Sequence, residues 1–342
     1  MDDMEVTHDS SMNEYNRILK EPPVGPLVPM GPSRDDLYSV GGKSVVVMVR
    51  ADSRREGILE AIRLIGGVKQ LCEGVEGEVV IKPNCNTDDP FPRDTHPETV
   101  RAVADSLIEV GFPAERIVVG DMSGRGRGLP TRHTIANLGI TEVADELGLR
   151  ISYFEEEDWV TVKPPRSRAW PEGIKIPKRI YEAKRVILTP IMRPHSTATF
   201  TISLKLAVGL IEATGREWLH NGEAFYEKMV ELNLAYQADL VVADAMSILT
   251  DRDLNYAHAA HPGIVIAGSN RVATDAVSVA VMKNYGAHGV SHRPVLEHEQ
   301  LKLSEKMGLG SPSLDRIILK TSNPAEDECF NDIISTIKAE LG

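Results

Sequence analysis

The sequence predicts an α/β protein: a parallel-rich sheet with helices on both faces, arranged as two lobes around a cleft. Three observations predict it. Short β-branched runs such as SVVVMV (44–49), RIVVG (116–120), DLVVA (239–243) and GIVIA (263–267) have the length and content of buried strands. Segments with apolar residues at helical spacing separate them. Polar loops containing Gly or Pro follow strand after strand, as they do where a parallel sheet presents its carboxyl edge to a ligand.

Residues 1–42 carry Pro22, Pro23, Pro26, Pro29 and Pro32. They read as an N-terminal arm that lies on the body, reaches a second subunit of a homo-oligomer, or stays disordered. The body, 43–342, divides into lobes 43–183 and 184–342. After the first strand, Ile58, Ala61, Ile62 and Ile65 put one apolar face on a helix over 54–65. GEVVI (77–81) is a strand, and it runs into Lys82, Pro83, Asn84, Cys85 and Asn86, where the prolines stop regular structure. Thr95 is placed to cap a helix with Pro97 in its first turn, ending near Gly111.

RIVVG is followed by Asp121, Met122, Ser123, Gly124, Arg125, Gly126, Arg127 and Gly128. Alternate glycines can turn amides toward an anion, or simply let the chain turn. The spacing GxGxG is not the dinucleotide fingerprint, and Pro130 interrupts the helix expected next. A helix over 140–147 and a strand over 150–154 follow. Residues 155–182, with Trp159 and Trp170, read as a hairpin or flap. Further on, a helix is expected over 224–234. Strands follow at 239–243, 263–267 and 315–319, with helices at 271–282 and 325–341. The carboxyl-edge rule gathers the loops at 82–89, 121–128, 193–196, Asp244 and 268–270 at one edge.

Composition excludes several functions. The chain has 342 residues, a net charge of −12 and 5% aromatics, which argue against nucleic-acid binding. No stretch of 18 uncharged apolar residues is present, so no membrane span is expected. The N-terminus MDDMEVTHDSSMNEYN resembles neither a signal nor a transit peptide, and a cytoplasmic location is expected. Cys72, Cys85 and Cys329 lack the spacing of an iron–sulfur cluster.

The densest chemistry lies in 184–222, KRVILTPIMRPHSTATFTISLKLAVGLIEATGREWLHNG. A strand at 186–188 should exit into a loop of Arg193, Pro194, His195 and Ser196. A His at such an exit faces a cleft more readily than a core, and its intrinsic pKa suits proton transfer or metal binding. Lys205, ten residues on, has apolar neighbours in both strand and helix readings of FTISLKLAVGLI. Burial would make it a base or covalent anchor; a flank position would let it snorkel. His220 lies on a loop or helix start. His258 and His261 precede Pro262 and read as loop residues. Cys85 is a loop thiol or a soft-metal ligand.

VVIKPN (79–84), THPETVRAV (95–103), VVGDMSG (118–124), HSTATFTISLKLAVGLI (195–211) and NRVATDAV (270–277) occur in the order seen in the domain of unknown function 362 family, which this chain resembles from about 44 to 320. That resemblance implies an iron–sulfur-associated family, some of whose members carry ferredoxin-like cysteine clusters; those clusters are missing from this chain. The intervals of His195, Lys205 and His220 are also similar to those of the lactate racemase family, which uses a nickel-pincer nucleotide. This second resemblance implies Lys205 as covalent cofactor anchor, His220 as metal ligand and His195 as proton shuttle. Thr201-Ile202-Ser203-Leu204 replaces the Gly-Gly-Arg run of those racemases, and the Asp121 loop stands where their second catalytic His is expected.

Two functions follow as expectations. The first is an enzyme for a small anionic substrate, with or without a metal or bound cofactor. His195, Lys205 and Asp121 would be catalytic, with His195 as acid or base. Lys82, Asn84, Asn86, Ser123, Gly124, Arg193 and Ser196 would bind the anion, and His220 with His195 would hold a metal. The second is a non-catalytic protein binding a metal, a nucleotide or a partner chain.

Overall fold

The computed structural model describes residues 7–322 and 327–342. Its centre is an eight-stranded sheet built from β1 (Ser44–Arg50), β2 (Val79–Pro83), β3 (Ile117–Asp121), β4 (Arg150–Tyr153), β5 (Arg185–Thr189), β6 (Leu240–Ala245), β7 (Ile264–Gly268) and β8 (Ile317–Thr321). The strand order is β8-β1-β7-β6-β5-β2-β3-β4. Every neighbouring pair is parallel except the two made by β7, which runs antiparallel to both β1 and β6. The α/β class and the parallel-rich sheet with helices on both faces are therefore as expected.

Alternation along each strand creates two cores. Val45, Val47 and Val49 of β1 face the helices Arg54–Ile65, Pro97–Glu109 and Ile140–Leu147. Val46 and Met48 face the other side, where Arg271–Asn284 and Glu328–Leu341 pack. The valines of β1 are at most 1% exposed, and each such burial contributes about 1.5–3 kcal/mol. Residues buried on both faces explain why the strands read as continuous apolar runs rather than alternating ones.

The antiparallel strand corrects one expectation. The carboxyl end of β7, Gly268, pairs with Val46 near the start of β1. The turn at 268–270 thus lies at the edge opposite the other loops. Asp244 does sit at the carboxyl edge, but its carboxylate is buried against Arg54 (2.6 Å) and Thr99 (2.7 Å).

Other local departures have simple causes. His96, not Thr95, caps the helix Pro97–Glu109, its Nδ1 accepting from Glu98 N–H; Thr95 instead joins the amide of Asn84 to the carbonyl of Thr189. Pro130 starts a helix, Thr131–Asn137, instead of preventing one, because a residue without an N–H is tolerated where no intrahelical bond is yet needed. Arg193–His195 is a short strand paired with Thr199–Thr201, so the expected loop is a hairpin. The 155–182 region contains the expected hairpin, Trp159–Val162 with Ile174–Pro177. The last helix is Glu328–Leu341; residues 325 and 326 of its expected span lie outside the described residues.

The arm lies on its own body. A helix, His8–Lys20, buries Tyr15 and Ile18, and residues 26–28 run beside the hairpin through Val28 N to Thr161 O (2.9 Å) and Thr161 N to Pro26 O (2.9 Å). Arg34 clamps the buried carboxylate of Asp239 with two bonds of 3.0 and 2.7 Å. Among the described residues no helix is long and apolar enough to cross a membrane.

Removing that clamp leaves the buried carboxylate with the Val186 amide (2.8 Å) and a longer 3.5 Å contact to Arg185. Arg34→Ala is expected to lower stability by about 2–4 kcal/mol, measured by urea unfolding, and to expose residues 21–40 to limited proteolysis.

Candidate functional site

A cavity of about 150 Å³ opens at the carboxyl edge between the ends of β2 and β3 and the segment 193–220. It is lined by Lys82, Asn84, Asn86, Asp121, Gly124, Arg193, His195, Lys205 and His220, all singled out from sequence. Sequence reasoning missed Tyr15, Arg125, Thr201 and Arg216, which also line it.

The floor is an ion pair. Lys82 ends β2 and Asp121 ends β3, and parallel pairing brings them side by side. Lys82 Nζ lies 2.7 Å from one Asp121 oxygen and 2.8 Å from Pro83 O. Asp121 also accepts from the amides of Met122 (2.7 Å) and Cys85 (2.8 Å). Both residues are buried, so the carboxylate is spent on holding two strand ends. A side chain at Gly209 would overlap the Asp121 carboxylate and the Lys82 amine, so only glycine lets that turn close over the pair.

The β2 loop is organised by Asp94, another residue not found from sequence. Its carboxylate accepts from Asn86 N (2.7 Å), Thr87 Oγ1 (2.7 Å) and Asn84 Nδ2 (3.3 Å). Burial pushes its carboxyl up to about 7, against the bonds from Thr87 and the nearby Arg193 charge. The glycine loop packs on this loop. Gly124 N donates to Asn86 O (2.8 Å), Gly128 N donates to Gly124 O (3.1 Å), and a Cβ at either glycine would strike Asn86. Two amides of the anticipated cradle are therefore used internally. Arg125 and Arg127 pin the loop outward, to Glu217 (2.7 Å) and to Asp88 and Asp89 (3.2 and 3.0 Å).

The hairpin 193–201 carries Arg193 and His195. Thr199 at its turn has φ of +68°, a strained value for a β-branched residue, and its hydroxyl is held by Tyr226 (2.9 Å). Gln300 donates to the carbonyls of Ala198 and Phe200 from beneath. His195 Nδ1 accepts the amides of Thr197 and Ala198, both at 3.2 Å. The neutral ring therefore bears its proton on Nε2. Burial, reinforced by the charges of Lys205 and Arg193, pushes His195 down to about 2.

Lys205 settles the strand-or-helix ambiguity both ways. Thr199–Thr201 is a strand, and the chain then turns into the helix Ser203–Leu206 and a 3-10 turn, Ala207–Leu210. Lys205 reaches the cavity with a partly exposed side chain. Burial, with Arg193, Arg216 and Lys82 near it, pushes its amine down to about 7. No carboxylate among the described residues pairs with it, nor with Arg193, whose Nε is buried without a partner. Arg216 spends its guanidinium on the carbonyls of Ile211 (3.0 Å), Met122 (2.6 Å) and Ser123. His220 is the last residue of the helix Ala213–His220, exposed and stacked at a tilt on Phe225. Tyr15 closes one side from the arm, bonded to Glu217 (2.8 Å) and Ala213 O (3.1 Å).

Two expected residues lie elsewhere. Ser196 is exposed in the turn of the hairpin, beyond its paired residues, and does not line the cavity. Ser123 is buried behind the cavity wall, with a hydroxyl that finds no partner. Cys85 packs in the core with its thiol pushed up by burial. His258 and His261 make separate contacts, with Asp253 and Ser247.

The cavity does not make a metal site from protein side chains alone. Among the described residues no three His, Cys, Asp or Glu side chains gather as metal ligands. His195 and His220 are two donors without a third, and one His195 nitrogen is already committed. The cavity is also well below the ~300 Å³ at which drug-sized ligand pockets begin.

A family model described as "Domain of unknown function (DUF362)" matches residues 79–280, more than half of the chain. A thylakoid-associated protein of Synechocystis sp. is 25% identical over 203 residues, covering 55% of this chain and 60% of that protein. The chain thus spans less than two thirds of that relative's length. The lactate racemase apoprotein from Thermoanaerobacterium thermosaccharolyticum aligns at 15% identity with a TM-score of 0.42, over 70% of this chain and 59% of the other.

The packing of Gly209 gives a direct test of the floor. Gly209→Ala is expected to separate Lys82 from Asp121 and to cost about 2–4 kcal/mol in chemical denaturation, whereas Gly126→Ala, where a Cβ meets open space, changes stability by less than about 0.5 kcal/mol.

Proposed function

The chain belongs to the domain of unknown function 362 family, and from that premise we propose that it is an enzyme acting on a small carboxylate- or phosphate-bearing substrate held in the 150 Å³ cavity. One observation carries the reading: Arg193 and Lys205 face the same cavity and neither forms a salt bridge among the described residues, Lys205 having only cations near it and Arg193 only the unbonded charges of Asp94 and Asp89. Uncompensated charge at a partly buried site is costly, and an anionic ligand removes the cost. The cavity admits only a few heavy atoms beyond the anionic group.

Arg193 clamps the anion, since a planar guanidinium matches carboxylate and phosphate oxygens. Lys205, near half-neutral at pH 7, takes a proton or attacks a carbonyl. His195 donates through Nε2–H to an oxygen that gains negative charge, as a neutral donor that does not itself ionise. Its low pKa keeps the ring neutral, so it acts as a hydrogen-bond donor and not as a general acid. Lys82 and Asp121 hold the floor and do not react. His220 faces the entrance. The acidic chain is proposed to work in the cytoplasm.

Calorimetric titration with phosphate and a panel of small carboxylates tests the binding step. Arg193→Ala is expected to weaken the best ligand by tenfold or more, about 1.5–3 kcal/mol for a charge-assisted bond. Deuterium wash-in from D2O, followed by proton NMR on the bound acids, tests the chemistry. Wash-in that vanishes in Lys205→Met supports the enzyme; tight binding with no wash-in or turnover makes the protein a non-catalytic anion carrier.

The pH dependence has a defined sign. The folded amine of Lys205 titrates near 7 and the unfolded one in the ordinary lysine range, so between them the unfolded chain binds more protons. Stability from this site therefore rises with pH above about 7 and is lowest below it. Lys205→Met is expected to stabilise the ligand-free protein by about 1–3 kcal/mol at pH 6, with the gain shrinking toward pH 10, in thermal melts across that range.

A further inference from the structure

The stretch NRVATDAV (270–277) lies on the helix Arg271–Asn284, begins at the edge opposite the cavity, and lines no part of it. Its side chains nonetheless converge on the turn that carries Lys205. Asn270 caps its own helix through Val272 N (3.0 Å) and Ala273 N (3.1 Å). Arg271 bonds the side chain and carbonyl of Asn233 (2.8 and 3.0 Å), and Asn233 in turn donates to Leu204 O (3.0 Å). Asp275 is fully buried, and its two oxygens divide between the amides of Ser203 (3.0 Å) and Leu204 (2.9 Å), with the Ser203 hydroxyl as a third donor.

The helix Ser203–Leu206 is a single turn, and the residue before it, Ile202, supplies no side-chain cap. An isolated turn of four residues does not hold itself, because nucleation costs more than one backbone bond returns. Its free amides need acceptors. Asp275 provides both from a neighbouring helix, in the manner of an N-cap acting through space rather than along the chain. Its three partners are all donors and favour the carboxylate, against the burial that pushes its carboxyl up to about 7, and they leave no place for an amide NH2.

We propose that Asp275 is a positioning residue for Lys205: by capping the Ser203–Leu206 turn it holds the amine in the cavity beside Arg193. The proposal deepens the functional reading above, in that it assumes Lys205 is the reactive amine, but its geometry and its test are independent of any ligand. The groups that face Lys205 are Arg193, Arg216, Lys82, His195 and His220, and those that face Asp275 are Arg271 and Tyr236. With the turn released, the amine leaves its cationic, desolvated surroundings for water.

The experiment follows the reactivity of Lys205 itself. Full-length protein is pulse-labelled with an amine-reactive acylating reagent between pH 5.5 and 10, and labelling of the peptide containing Lys205 is read by mass spectrometry. In the wild type the labelling midpoint is expected near 7. In Asp275→Asn the midpoint is expected to move up by at least one unit, a loss of labelling at pH 7 of about fivefold or more. Ser203→Ala keeps both backbone bonds and is expected to label like wild type. Thermal melts and circular dichroism on the same samples establish that each variant is folded; should Asp275→Asn fail to fold, Asn233→Ala, which removes the side-chain bond to the carbonyl of Leu204, is expected to raise the midpoint in the same direction by a smaller step.

A folded Asp275→Asn with lowered melting temperature and an unmoved midpoint would overturn the proposal, since a purely structural carboxylate gives that result. An unmoved midpoint in folded Asn233→Ala does the same when that variant stands in. If the wild type labels near 7 and Asp275→Asn shifts, yet no anion binds, the positioning stands and the functional reading falls. If anions bind through Arg193 while Lys205 labels alike in all variants, the reverse holds.

Discussion

The buried pair of Lys82 and Asp121 is the constraint on which the site depends. Two charges taken out of water repay their desolvation only when their remaining bonding capacity is met. Here it is met by Pro83 O and by the amides of Met122 and Cys85. Those amides belong to the two loops that wall the cavity, so the pair sets the entry angle of both. The close approach at Gly209 then seats the 207–210 turn on the pair. Loops that might vary freely beyond a sheet edge are tied to one point.

Above that floor the charge balance is deliberately incomplete. Lys82, Arg125 and the guanidinium of Arg216 are each answered by carboxylates or carbonyls, while Arg193 and Lys205 are not. His195 is kept from joining the cations by the two amides that occupy Nδ1. Burial, reinforced by the neighbouring cations, holds the pKa values of both His195 and Lys205 low. An anion entering between Arg193 and Lys205 reverses the sign of the local field and raises both.

Much of the site was legible in the sequence because parallel strands of similar length end at one edge. The residues just past β2 and β3, and those on the chain leaving β5, had to lie near one another. Hence Lys82, the two asparagines, Arg193 and His195 could be named together. Arg216, Tyr15, Asp94 and Asp275 could not. Arg216 acts through carbonyls, which leave no mark in sequence. Tyr15 reaches the cavity only because an N-terminal helix folds back across about two hundred residues of chain to Glu217. Asp94 and Asp275 are carboxylates held by backbone amides and neutral side chains, so no complementary charge signals them.

Composition and local spacing by themselves determined the α/β class, the strands, most helices and a segment that lines the cavity, because burial on both faces writes β-branched runs and amphipathic periods directly into the chain. They did not determine the direction of Ile264–Gly268, the seating of the arm, or which charges find partners. Those were decided by tertiary structure. A strand reads the same whichever way it runs, and whether a lysine is answered or left alone depends on what packs beside it, which residues far apart in sequence settle together.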